Sequence, residues 1–381
     1  MSKNVFFNKP YITNQEISNI GKVLKKKLNP SFGYQGRFSE QCVKEIKKIT
    51  KAKNVFLTSS CTGALEIITN IINIKKDDEI IIPSFTFVSA ADAFVNAGAK
   101  IVFCNIDENF IIDLDELKSK ITRKTKAIVL VHYNGNSVNF EKLKKILNNK
   151  KKIFVIEDAA AALGSKYKNE FLGTKGDFGC FSFHESKNIH CGVGGALLVN
   201  NETYLKKTKL IWNRGTNRED FENRMVTKYQ WMISGKSCHL SEMQAAFLLP
   251  QLKSLKKNTT IKRKIFLEYF KKLSTFKNYF NVPAFNKFNK SNYHSFFIVV
   301  KKNIIRQKFI KFMKKNNIQT VIHYEPLHFS KVGKSLYKKK DLKKTYNLSK
   351  RIIRFPSYVG IKDNQIKRVI NKTLEYFNID K

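Results

Sequence analysis

The sequence predicts an α/β protein, with a central, mostly parallel sheet covered by helices on both faces and a smaller α+β unit after it. Three observations carry this. Short apolar, β-branched runs recur between residues 54 and 200, helix-like stretches lie between several of them, and from about residue 241 the texture changes. Continuous apolar strands separated by amphipathic helices imply βαβ units, because a strand buried on both faces has no polar alternation. The predicted division is residues 1–240 for the large unit and 241–381 for the small one.

The strand signals are "NVFLT", "EIIIP", "KIVFCNI", "AIVLVHY", "KIFVIED", "GCFSF" and "GALLV". Between them, "TGALEIITNII", "SAADAFVNAG", "DLDELKSKI" and "NFEKLKKILNN" read as helices. Ser60 and Thr62 ahead of "ALEII", and Asn139 ahead of "FEKLKKIL", are capping signals. The pattern does not fix which strands depart from the parallel direction. Beyond residue 241, "SEMQAAFLLPQLKSLKKNTTIKRKIFLEYFKKL" predicts a long helix bent or interrupted at Pro250. A strand at "YHSFFIVV", a helix at "RQKFIKFMKKNN", a strand-like "QTVIHYEPLH" and a last helix near 363–377 complete the small unit.

At 381 residues, with 42% hydrophobic and 27% charged residues, the chain has the composition of an ordinary soluble globular protein. No apolar run approaches the ~18 residues of a membrane span. The opening "MSKNVFFNKPYIT" lacks the apolar core of a signal peptide, so the cytoplasm is the expected location. Six scattered cysteines, without a CxxC or zinc-ligand spacing, predict free thiols and no metal. The net charge of +41 invites a nucleic-acid reading. Its excess lysine, however, is spread along the whole chain rather than gathered with arginine and aromatics, and a solvated basic surface is the better account.

Three stretches carry possible chemistry. In "LTSSCTGALEII" a strand ends and a helix begins, so unpaired N–H groups converge on one spot that suits a phosphate, with Ser60, Thr62 and Gly63 in reach. Alone, the stretch reads first as a plain helix cap. In "KIFVIEDAAAALGS" Glu157 and Asp158 close a buried strand at its carboxyl end, where open α/β sheets bind ligands. A carboxylate there can hold a cationic ring nitrogen, or simply cap the next helix. In "FSFHESKNIHCGVGGALLV" Lys187 lies between a strand and glycines 192, 194 and 195, with Ser182 five residues before it. A partly desolvated lysine beside a cofactor can form a Schiff base; one more surface lysine is the plain alternative. Together the three are the parts that a pyridoxal phosphate enzyme needs. The helix start holds the phosphate, Asp158 keeps the pyridine nitrogen protonated, and Lys187 carries the cofactor and shuttles the proton. Phe87, in "PSFTFVSAADAF", is a ring able to stack on the cofactor.

With "PSFTFVS", "VHYNG", "VIEDAA", "SFHESKN", "GTNRE", "HYEPLH" and "RIIRFPSY", the chain resembles the DegT/StrS-type sugar-nucleotide aminotransferases over nearly its whole length. "SCTGALE", "FSFHESKN" and "GTNR" resemble the branch that aminates the 4-keto carbon of dTDP-4-oxo-6-deoxyglucose, giving dTDP-4-amino-4,6-dideoxygalactose. The resemblance implies the fold of aspartate aminotransferase (fold type I), pyridoxal 5'-phosphate as cofactor, L-glutamate as amino donor and a nucleotide-linked keto sugar as acceptor. It implies Schiff-base and proton-transfer roles for Lys187 and a ring-nitrogen role for Asp158. Ser182, Thr62 and Gly63 fall on phosphate-binding positions and Phe87 on the stacking position. It implies a homodimer in which a partner residue near His239 reaches the phosphate. His323 and Tyr324 fall in the substrate-side segment, and His184 either lines the site or packs as a core histidine. A UDP-linked or 3-keto substrate, or a basic nucleic-acid-binding protein on an inherited fold, are the alternatives. Dehydratases of the family replace the lysine with histidine, which Lys187 argues against. Two positions depart from the family: Ala161 stands where glutamine is usual, and Val193 where the glycine cluster usually holds an acid.

Overall fold

A computed structural model describes residues 4–25, 33–148, 152–285, 287–339 and 341–378. Seven strands form the central sheet: β1 Val55–Thr58, β2 Glu79–Pro83, β3 Lys100–Cys104, β4 Thr125–Val131, β5 Phe154–Asp158, β6 Phe178–Ser182 and β7 Gly195–Val199. Their spatial order is β1-β7-β6-β5-β4-β2-β3. Strand β7 runs antiparallel to both neighbours, and every other pair that does not involve it is parallel.

Alternate strand residues face opposite layers, which explains the unbroken apolar runs. Ile80, Ile82, Val129 and Leu197 pack under the helices Cys61–Ile71 and Ser89–Asn96. Ile81, Ile128 and Leu130 meet Leu117, Leu143 and Ile146 on the other face, and Ala196 and Leu198 meet Phe38, Cys42 and Ile46. Ser60 and Asn139 are the caps, while Thr62 lies one residue inside its helix. Ser60 accepts from the Gly63 N–H at 3.0 Å, and Asn139 accepts from Glu141 and Lys142.

The helix expected to break at Pro250 runs through it, as Glu242–Lys253, and the interruption falls at Ser254 before the helix Leu255–Leu273. A proline leaves the carbonyl four residues back without its helical donor. Here that carbonyl, Ala246 O, accepts from the Asn19 side chain at 3.2 Å, so the helix continues. Its residues Ala245, Leu248 and Leu252 join the core below the large sheet, while Ile265, Phe266 and Tyr269 of the next helix join Phe296, Ile298, Phe309 and Val369 in a separate core. That second core is built on an antiparallel sheet of Phe280–Asn281, Phe297–Val300 and Ile352–Arg354.

"QTVIHYEPLH" is not a strand. Only Val321 bridges, to Arg354, and the rest is extended chain leading into a short turn at Leu327–Phe329. Its backbone is held by other means: Leu327 N–H donates to Ser84 O at 2.8 Å, and the Tyr133 hydroxyl donates to His323 O at 3.0 Å. No helix among the described residues is long and apolar enough to cross a membrane. All six cysteines are free, and no cluster of metal-ligating side chains occurs among the described residues.

Candidate active site

The carboxyl ends of β1, β5 and β6 bring the three singled-out stretches together. The helix that follows β1 starts at Cys61, capped by Ser60, and the N–H groups of Cys61 and Thr62 precede its first internal bonds. Strand β7 passes directly beneath this turn, with Gly195 paired to both Thr58 and Ser182. A Cβ on Gly195 would lie 2.4 Å from Ser60 C and 2.5 Å from Cys61 N. The last glycine of the cluster is therefore a close-approach residue. Gly195→Ala is expected to cost about 1–3 kcal/mol, because backbone rather than a flexible side chain must give way. A thermal-unfolding midpoint equal to that of the parent would contradict this close approach.

Strand β5 ends in two carboxylates with opposite fates. Glu157 is fully buried and clamped by four donors: His132 Nε2 at 2.7 Å and the N–H groups of Gly173, Lys175 and Gly176 at 2.8, 2.5 and 2.7 Å. Although burial works against it, these donors hold the Glu157 carboxyl below its usual range. Asp158, one residue on, faces the site. Its Oδ1 accepts the Ala160 N–H at 3.1 Å, and burial raises its pKa against the opposing charges of Lys187 and His132. Asp158 acts on Lys187, while Glu157 is saturated by His132 and backbone.

Lys187 is half-buried just after β6, its N–H bonded to His184 O at 2.9 Å. Burial lowers its pKa, Asp158 opposes, and Arg354 adds to the lowering. A lysine so placed has more free amine at neutral pH than a surface lysine. Ser182 ends β6, and its hydroxyl accepts the His184 N–H at 3.3 Å. Phe87 is 56% exposed, its ring 6.1 Å from that of Tyr324. Burial raises the Tyr324 phenol, with Arg354 opposing and Asp158 reinforcing. The ring of His323 stacks on that of Tyr324 and meets the Arg354 guanidinium at 2.7 Å.

One of the two readings of His184 falls away. His184 is not a core histidine: it is exposed, and its Nδ1 pairs with the Ser186 hydroxyl at 2.9 Å, stapling the turn before the lysine. His239 bridges to Thr58, yet within its own chain its ring stacks on Tyr34 at 3.6 Å and meets Trp212 at 4.6 Å. Its neighbour Cys238 is the residue against Gly63, with Cβ 3.0 Å from where a Gly63 Cβ would sit. Of the two departures, Ala161 contributes a backbone carbonyl to Asn292 Nδ2 at 2.9 Å, and Val193 is 53% exposed with its carbonyl on Gln244 Nε2 at 2.7 Å. His132, the clamp on Glu157 and Arg354 were not singled out from the sequence. Their signals, "VHYNG" and "RIIRFPSY", were visible only as blocks of resemblance.

The histidines predict an acid sensitivity. His239, His323 and His328 are each pushed down to about 4, burial being the first cause in each. The unfolded chain takes up protons on these rings below about 6.5, where the folded chain refuses them, so stability falls as pH drops from there towards 4. Allowing for their partial exposure, each costs on the order of 1 kcal/mol at pH 5. Glu157 adds the same sign lower down, since its contribution is present at neutral pH and is lost as pH falls through the carboxylate range. The unfolding midpoint is expected to fall by about 5 °C from pH 7 to pH 5 at constant ionic strength. A flat midpoint would contradict neutral buried imidazoles.

The residues present fit a phosphorylated pyridine: a capped helix start, a facing amine and acid, and an uncovered aromatic ring. The model of the DegT/DnrJ/EryC1/StrS aminotransferase family matches residues 11–374. An uncharacterised protein of Methanocaldococcus jannaschii is 33% identical over 326 residues, 82% of this chain and 83% of that one. The GDP-perosamine synthase of Vibrio cholerae is 27% identical over 90% of this chain and 92% of its own length. Among solved structures, PseC of Helicobacter pylori, an aminotransferase involved in the biosynthesis of pseudoaminic acid, superposes with a TM-score of 0.89 at 24% identity, covering 98% of this chain and 99% of that one.

Proposed function

Because the chain belongs to the DegT/DnrJ/EryC1/StrS aminotransferase family, whose members act on nucleotide sugars with pyridoxal 5'-phosphate, we propose that it moves an amino group from L-glutamate to the 4-keto carbon of a nucleotide-linked 4-keto-6-deoxy sugar. The substrate favoured by "SCTGALE", "FSFHESKN" and "GTNR" is dTDP-4-oxo-6-deoxyglucose, with dTDP-4-amino-4,6-dideoxygalactose as product. One observation supports the reading most: Asp158, at the end of β5, and Lys187, in the turn after the adjacent strand β6, act on one another's ionisation beside a capped helix start.

When bound, the cofactor supplies an electrophilic carbonyl and a ring that accepts electrons. The chain's residues supply the rest. Lys187, its pKa lowered, presents a nucleophilic amine and then a base at Nζ for the proton that must leave and return. Asp158 holds a proton at the ring nitrogen, and its burial strengthens that charge pair. The Cys61 and Thr62 N–H groups, with the hydroxyls of Ser60, Thr62 and Ser182, receive the phosphate. Phe87 covers one ring face, and His323 and Tyr324 line the substrate side.

A homodimer is part of this proposal. Phe221, Met225, Tyr229, Trp231 and Met232 are all exposed on one stretch of a single chain, Trp231 by 78%. Such apolar exposure suits burial by a second copy, and His239 would then serve the partner's phosphate. The free thiols and the nucleotide substrate fit a cytoplasmic enzyme. The test is incubation with L-glutamate and a panel of dTDP-, UDP- and GDP-linked 4-keto-6-deoxy sugars, with mass detection of the amino sugar. Amination of the dTDP sugar supports the full proposal. Amination of another nucleotide sugar alone moves the substrate but keeps the class, and no amination of any overturns it.

A further inference from the structure

Asp158 and Lys187 sit in different turns, and one asparagine outside both is bonded to each turn. Asn292 is 2% exposed. Its Nδ2 donates to Ala161 O at 2.9 Å and to Leu163 O at 3.1 Å, in the turn that follows Asp158. Its backbone N–H donates to Ser165 Oγ at 2.9 Å in the same turn. Its carbonyl accepts from Asn188 Nδ2 at 2.9 Å, and Asn188 is the residue after Lys187.

The backbone around Asn292 is itself pinned. Asn292 Oδ1 accepts from the His294 N–H at 3.2 Å, closing a turn in which Tyr293 is left-handed at φ 53°. That conformation is uncommon for a bulky residue. The N–H and hydroxyl of Ser295 donate to Asn134 Oδ1 at 2.8 and 2.7 Å, so the turn after β4 is joined as well. Gly135 permits the fit: a Cβ there would lie 2.5 Å from Ser165 Oγ and 2.7 Å from Asn292 Oδ1. Backbone of this kind persists where its surroundings over-determine it, and it clusters at active sites.

We propose that Asn292 is the positioning residue that sets the acid at 158 and the amine at 187 to one cofactor ring, by tying the turn after β5 to the turn after β6. This rests on the transaminase reading. The strand ladder alone does not fix that pair, because β5 and β6 are last paired at Asp158 and Cys180, well before Lys187. Nor do the two side chains hold themselves. Lys187 is placed on a flexible stem with no hydrogen bond among the described residues, and Asp158 has the Ala160 N–H. Both groups therefore inherit their places from the main chain of their turns, and that main chain is what Asn292 holds. The tie runs in series, from Ala161 and Leu163 through Asn292 to Asn188, so a cut at either end releases it.

The test is a double-mutant cycle on the full chain. Asn292→Ala removes the two side-chain bonds to the turn after β5, and Asn188→Ala removes the bond from the turn after β6. Two rates are read: the joining of added pyridoxal 5'-phosphate to Lys187, followed by absorbance, and kcat at saturating glutamate and sugar nucleotide. Each single variant is expected to lower both rates by about 10- to 100-fold, the scale of a small misplacement of reacting groups, with little change in KM. The double variant is expected to be no slower than the slower single one, since a tie in series is cut only once. Thermal unfolding reports the packing cost separately. Parental rates in a folded single variant, losses that multiply in the double variant, or a loss confined to KM overturns the assignment. If Asn292→Ala does not fold, Asn188→Ala, at a half-buried residue, carries the test alone, and parental loading and turnover overturn the assignment. A parent enzyme that loads cofactor but aminates no sugar nucleotide overturns the proposed function instead, and the loading rates then decide the tie.

Discussion

Lys187→Ala is expected to abolish the covalent hold on the cofactor and to lower glutamate-dependent amination by at least ~10⁴-fold, since nucleophile and proton carrier are lost in one side chain. The fold should survive. Lys187 is half-buried, makes no side-chain hydrogen bond among the described residues, and lies outside the apolar clusters of both cores. The measurement is amino-sugar formation by mass, alongside visible absorbance and thermal unfolding. A folded variant with parental turnover would remove Lys187 from the chemistry.

Asp158→Asn is expected to lower turnover by ~10²–10³-fold with little change in stability. Asparagine keeps an oxygen for the Ala160 N–H, the one hydrogen bond that the aspartate side chain makes among the described residues. It also relieves the burial that already raises the Asp158 carboxyl. What it loses is the negative charge opposite a cationic ring nitrogen. Cofactor should therefore still load on Lys187 while turnover falls, in contrast to Lys187→Ala, where both go. A variant with parental turnover would show that Asp158 only caps the segment after β5.

How far the sequence foretold this site depends on the distance over which each residue acts. Lys187, Asp158 and the Ser60–Gly63 helix start are local features, a strand end or a strand-to-helix turn, and local patterning locates them. The apolar runs locate the strands for the same reason: burial on both faces removes polar alternation. The reversal of β7 left no such mark, since an antiparallel strand buried on both faces carries the same apolar run as its parallel neighbours. Glu157 was visible as a strand-end acid, but only its pairing with His132, twenty-five residues earlier, shows that it is spoken for. Arg354 meets His323 across thirty-one residues and two separate segments. Pro250 fails as a breaker for the same kind of reason, because its repair comes from Asn19. The approach of Cys238 to Gly63 in the helix start likewise joins segments far apart in the chain and has no local signal.

The account stands on a single amine joined to the cofactor. The most direct measurement is borohydride reduction of the cofactor-loaded protein, followed by proteolysis and mass mapping of the modified peptide. With 61 lysines in the chain, non-specific attachment would scatter over many peptides. One reduced pyridoxyl phosphate per chain, on the peptide that holds Lys187, is the predicted result. Modification at some other lysine, or none that survives dialysis, would contradict it.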